Sequence, residues 1–378
     1  MSMDLLPLSE VRFHLKAGAP LPCSVRDAEG RLLLARGHLV SSPAMLQALL
    51  ARGVFVERQE AAQAHMAPPA SPVDAGSPFE RWDRLCDNLS SVLLSPQEQQ
   101  FLQRVREAAG HVLALNEFNA DLLLFLILRH DHGNFEAYGV AHSLHVACVC
   151  SLLAQRLGWS RDDQQRVIGA SLTMNLSIIE LQGQCARQAT PLTQHQRELI
   201  DGHPQEASMI LLAAGLDDMD WLAAVQDHHE RSGGGGYPSG RADPGAMSQM
   251  LRLADQFTAK HSARATRPAM PARQAARELF LQNPGNAMAE MLIKEFGIYP
   301  PGCFVKLATG ETAIVVRRGS SANTPEVAAI TSARGEPLSA PQYRDTSQRE
   351  CAIAQCLPQP AQPLAWPAHM FYPEALPA

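Results

Sequence analysis

A chain of 378 residues, 46% of them apolar, is long enough for two or three domains with real cores. Its formal net charge of −6 excludes the broad basic footprint required by a nucleic acid polymer or an anionic membrane surface, so any phosphate ligand must be met by a local pocket. The eight cysteines (Cys23, Cys86, Cys148, Cys150, Cys185, Cys303, Cys351 and Cys356) share no repeated short spacing and read as reduced thiols.

No basic segment followed by an apolar stretch opens the sequence, and its longest apolar run, Leu122–Leu128, is far shorter than the roughly 20 residues that span a bilayer. A cytoplasmic protein with no membrane partner is expected. Residues 1–58 read as a small α+β module. Within it, Cys23-Ser-Val25, the turn Asp27-Ala-Glu-Gly30 and Arg31-Leu-Leu-Leu-Ala35 form a hairpin pattern, and Ser42-Pro43 starts a short helix that Gly53 closes. Residues 59–80 have the Ala, Pro and Gly composition of a linker. Residues 81–318 carry helical periodicity almost unbroken to Phe296, with Ser95-Pro-Gln-Glu98 as a capping box opening a helix towards Leu115. After Gly297 the period becomes strand-like, and Phe304–Leu307 with Ala313–Val316 predict a short β-hairpin. Residues 319–378 are expected to be an irregular segment and a mobile tail. The fold class is therefore mostly α: a helical bundle with a short C-terminal hairpin, preceded by a small α+β domain.

Five polar residues stand out in the helical region: His142, His203, the adjacent His228 and His229, and Asp255. Each lies among apolar residues at helical spacing and would point inward or line a cleft. Singly, each is an ordinary core or surface residue. Gathered in one bundle interior, imidazoles and a carboxylate are costly to bury unless a divalent cation organises them.

The contexts His142-Ser-Leu-His-Val-Ala147, His203-Pro204, His228-His-Glu-Arg231 followed by Gly236-Tyr-Pro238, Ala254-Asp255 and Gly297–Pro301 occur in an order and spacing that resemble the HD-GYP family. The resemblance runs from about Asp131 to Val316 and implies an HD-superfamily helical bundle that hydrolyses cyclic-di-GMP with two or three metal ions. It assigns His142 and Asp255 to one ion, and His203, His228 and His229 to a second. The family's His-Asp pair, however, falls on Met174 and Asn175, and the lysine expected shortly afterwards falls on Ile178; a glutamate found in some members is replaced by Tyr138. Arg267-Pro268 resembles the family's phosphate-binding Arg-Pro segment, with Arg264 beside it and Met270 where a second basic residue would stand.

The missing pair bears on the chemistry. Two dications about 4 Å apart repel by roughly 16 kcal/mol at an effective dielectric near 20, and only bridging anions offset this. Asn175 is neutral, the Met174 thioether suits hard ions poorly, and Ile178 removes a cation from the scissile phosphate. Hence no catalytic residue is assigned, and at most one divalent metal (Fe, Mn or Zn) is expected, on the three-histidine set. The glycines before Gly236-Tyr237-Pro238 suggest a recognition loop, which joins Arg267 as the expected ligand-binding set. The expected function is a degenerate HD-GYP protein of cyclic-di-GMP signalling. It would bind cyclic-di-GMP or a signalling protein, a GGDEF-domain protein among the candidates, with little or no hydrolysis. The alternative is a metal-dependent cyclic-di-GMP phosphodiesterase with residual activity.

Overall fold

The computed structural model describes residues 5–7, 24–28, 30–34, 54–57, 76–129, 135, 137–358 and 366–373, in two units, Met1–Ala75 and Gly76–Ala378. In the first unit, β1 (Leu5–Pro7), β2 (Val25–Arg26), β3 (Leu32–Leu34) and β4 (Phe55–Glu57) form a four-stranded sheet in the order β1-β4-β2-β3. The expected hairpin is β2–β3, closed by Gly30 at φ +83°, a conformation costly to other residues. The helix expected from Ser42 lies outside the described residues, as does most of the linker.

The second unit opens earlier than its sequence suggested. Ser77 and Glu80 form a reciprocal capping box, with the Ser77 hydroxyl accepting from the Glu80 N–H and the Glu80 carboxylate from the Ser77 N–H, so α1 runs Pro78–Leu93. The box expected at Ser95 does not form. Glu98 is instead held by Arg104 at 2.9 Å, and α2 begins at Phe101 (Phe101–Phe118). The remaining helices are α3 (Ala120–Arg129), α4 (Tyr138–Arg156), α5 (Arg161–Thr173), α6 (Ile179–Arg187), α7 (Gln194–Ala213), α8 (Met219–Gln226), α9 (Ala246–His261), α10 (Ala272–Gln282) and α11 (Ala287–Phe296). Helix α4 is buried from Tyr138 to Ala154 on nearly every side and packs on α2, α5, α6 and α9. No single described helix is long and apolar enough to cross a membrane. The described cysteines form no disulfide, and Cys148 and Cys150 are buried.

The C-terminal portion corrects the expectation of an irregular segment and a mobile tail. The hairpin β5 (Phe304–Leu307) and β6 (Thr312–Arg317) is present, but β7 (Glu326–Thr331), β8 (Pro337–Asp345) and β9 (Ile353–Leu357) extend it into a five-stranded antiparallel sheet ordered β8-β7-β6-β5-β9. Alternation along the strands divides its faces: Phe304, Ile314, Val316 and Ala328 join the helical core, whereas Val305, Val315 and Val327 form a smaller cluster. Farther on, Phe371 and Tyr372 are fully buried against Phe125, with ring centroids at 5.4 and 5.2 Å, and the Tyr372 hydroxyl donates to the Val316 carbonyl. Two aromatic rings buried in this way anchor the residues beyond the sheet.

Candidate metal centre and ligand cleft

The local chain directions that build the centre follow from two helix defects. Pro204 sits inside α7 and has no N–H, so the Ile200 carbonyl four residues earlier has no helical partner. The adjacent His203 turns its Nδ1 onto that carbonyl at 2.5 Å. At the end of α8 the Val225 carbonyl is likewise left over, and His228 places its Nδ1 on it at 2.6 Å. A carbonyl only accepts, so both Nδ1 atoms carry the proton and both Nε2 atoms are bare lone pairs. Those two Nε2 atoms face each other at 3.1 Å.

His229 completes the set: one nitrogen from each of His203, His228 and His229 lies within 4.8 Å of the others. None of the three rings readily takes up a proton to relieve the opposed lone pairs. Burial, then the charge of His228, pushes His203 down to about 3; burial also lowers His228, and burial with the charge of His228 lowers His229. Three neutral imidazoles converging in this manner suit one divalent ion such as zinc or ferrous iron. Tyr237, joined to Pro238 by a cis peptide, stacks on His229 with a centroid distance of 4.5 Å and an 18° interplanar angle.

His142 and Asp255 belong to the same cleft but are engaged with each other, His142 Nε2 to Asp255 Oδ1 at 2.7 Å. Burial opposes ionisation of Asp255, yet the His142 hydrogen bond and the neighbouring imidazoles outweigh it and hold the carboxyl well below its usual range. Of the residues at the expected His-Asp pair, Met174 is fully buried in the apolar core, while Asn175 lines the cleft with its Nδ2 buried and unpartnered. Ile178 also lines the cleft.

The cleft has a volume of about 420 Å³, within the ordinary range for small-molecule sites. Of the four expected ligand contacts, Arg267, Gly236 and Pro238 do not line the cleft, whereas Tyr237 does. Arg267 turns back to donate to the Ala259 carbonyl and does not line the cleft; Arg264 does, because a tight turn pairs the two arginine backbones at 2.9 and 3.0 Å and sends their side chains different ways. Arg264 lies over the ring of Tyr138 at 5.8 Å, and that ring stacks on His142 at 5.9 Å. Tyr237 lines the cleft half-buried against His229, while Gly236 and Pro238 on either side of it are not part of the cleft wall. Gly236 packs on backbone, since a Cβ there would meet the Glu230 Cα at 2.5 Å and the His229 carbonyl oxygen at 2.6 Å. Glu230, missed by the sequence reading, fixes the loop by accepting the Ser239 N–H at 2.6 Å.

The family model described as "HD domain" matches residues 135–284, the part of the chain that gathers these histidines and the aspartate around the cleft. The chain is similar to HD domains over these residues. It is similar to cyclic di-GMP phosphodiesterase PA4108 of Pseudomonas aeruginosa, with 26% identity over 291 residues covering 71% of this chain and 68% of the relative. Its fold matches that of Bd1817, a HDG"Y"P protein from Bdellovibrio bacteriovorus, with a TM-score of 0.51, 15% identity, and coverage of 78% of this chain and 99% of the other.

Proposed function

We propose that this protein is a degenerate HD-GYP domain that binds cyclic-di-GMP, or a protein partner in that signalling system such as a GGDEF-domain protein, with little or no hydrolysis. The observation that carries the reading is the asymmetry of the cleft. Three neutral histidines converge on one point, while His142 and Asp255 are closed on each other and a neutral amide, Asn175, occupies the position where the family resemblance implies a bridging carboxylate. An ion on His203, His228 and His229 would lend positive charge to a phosphate oxygen. Arg264 supplies a second positive charge in the cleft wall, and the free Asn175 Nδ2–H is a donor for a phosphate oxygen. Without a bridging anion a second ion meets the full inter-metal repulsion, so the ligand is held without an activated bridging hydroxide.

The similarity to a relative named as a phosphodiesterase favours a second reading, residual hydrolysis by a rearranged site. Calorimetric titration of the manganese-loaded protein with cyclic-di-GMP tests the main proposal. Saturable binding is expected, weakened at least tenfold by Arg264→Ala and unchanged by Arg267→Ala. The ligand assignment fails if the wild type does not bind or if only Arg267→Ala weakens binding.

A further inference from the structure

A second cleft, of about 550 Å³, shares no lining residue with the histidine cleft. Its walls include Arg231 from the loop after the histidine pair, Arg252 and Gln256 one turn apart on α9, Gln282 and Asn283 at the end of α10, and Asn286 at the start of α11. Arg252 is only 9% exposed. Its Nη2 donates to Asn283 Oδ1 at 2.7 Å, and its Nε is buried with no partner.

Among the described residues no carboxylate pairs with Arg252 or Arg231, whereas the partly buried Arg318 is matched by both Asp121 and Glu295. A buried guanidinium without a counter-ion is costly, because the desolvation penalty has nothing to offset it. Arg231 and Arg252 line the same cleft, and burial, then the Arg231 charge, disfavour the charged form of Arg252. A dianion between them would relieve the repulsion and satisfy the free Nε. The cleft is far larger than a bare oxyanion, and its carboxamides offer both donors and acceptors.

We propose that this cleft binds a small molecule carrying a phosphate monoester, with the phosphoryl group between Arg231 and Arg252 and the rest of the molecule hydrogen-bonded by Gln256 and Gln282. Guanidinium forks suit phosphate oxygens, and two of them match the charge of a monoester dianion. The site does not depend on metal in the histidine cleft. Even so, Arg231 directly follows the His228-His229-Glu230 segment and Arg252 lies one turn before Asp255, so an occupant would bear on the elements that carry the metal centre.

Calorimetry with inorganic phosphate, adenosine 5′-monophosphate and uncharged adenosine tests this on the full chain. Phosphate and the monophosphate are expected to bind saturably, the monophosphate more tightly, and adenosine not at all. Arg231→Gln and Arg252→Gln are each expected to weaken monophosphate binding at least tenfold, and Arg264→Ala, in the other cleft, to leave it unchanged. Arg231 is exposed, so its variant keeps the test valid if Arg252→Gln fails to fold. Absence of saturable binding, adenosine binding as tightly as its monophosphate, or loss of binding in Arg264→Ala but not in Arg231→Gln would overturn the proposal.

Discussion

The Nε2 atoms of His203 and His228 stand 3.1 Å apart with neither carrying a proton, because each ring has committed its Nδ1–H to a carbonyl that a helix left unpaired. Two opposed lone pairs in a buried site are unfavourable until a cation lies near both. One divalent ion per chain is therefore expected by elemental analysis after anaerobic purification. His203→Ala and His228→Ala should each remove it, and two tightly held ions per chain would contradict the role given to Asn175.

Repair of the absent pair should divide unequally between its two positions. Asn175 already faces the cleft, so Asn175→Asp adds a carboxylate where a bridging anion is wanted and should raise metal content towards two ions. Met174 lies in the apolar core at 0% exposure, and Met174→His should cost about 1–3 kcal/mol of stability unless the ring turns into the cleft. Metal analysis and urea unfolding of the single and double variants separate these effects. Adding Ile178→Lys to the double variant should then raise hydrolysis of cyclic-di-GMP by supplying a cation at the phosphate.

The loop behind the centre is held by contact rather than by flexibility. Gly236→Ala drives a Cβ into the backbone of Glu230 and His229, so it should displace His229 and weaken metal binding at least tenfold. Tyr237→Ala should leave the circular dichroism unchanged and loosen His229, whereas Tyr237→Phe, which keeps the stacked ring, should bind metal like the wild type. Equal loss in Tyr237→Phe would assign the effect to the hydroxyl instead.

Much of the candidate centre was legible in the sequence because candidate ligands carry their signal in residue type and order: His203-Pro204 and His228-His229 pick out, without any coordinates, the three histidines that the structure brings together. Which arginine enters the cleft was not legible. Arg264 and Arg267 lie on the same turn, and their directions are set by backbone pairing with each other and by the bond from the Ala265 N–H to the Ala186 carbonyl at 2.8 Å. The C-terminal sheet was hidden for a different reason. Strand β7 relies on small alanines and β8 is a largely exposed edge, so neither shows strong apolar alternation. The Phe371-Tyr372 anchor follows a proline-rich stretch whose composition suggested a free tail.

That anchor gives a stability test. Tyr372 is 0% exposed and packs on Phe125, so Tyr372→Ala should cost about 3–5 kcal/mol. Tyr372→Phe should cost about 1 kcal/mol through the lost hydrogen bond to Val316. Urea unfolding measures both, and a wild-type midpoint for Tyr372→Ala would show the segment to be dispensable.

The most direct test of the central claim is turnover: conversion of cyclic-di-GMP to its linear dinucleotide or GMP by protein loaded with manganese or ferrous iron, with His228→Ala as the control. The wild type is expected to stay at the level of the control. Substantial wild-type turnover that His228→Ala abolishes would contradict the account, since it would show that the centre hydrolyses its ligand with Asn175 in place of the aspartate.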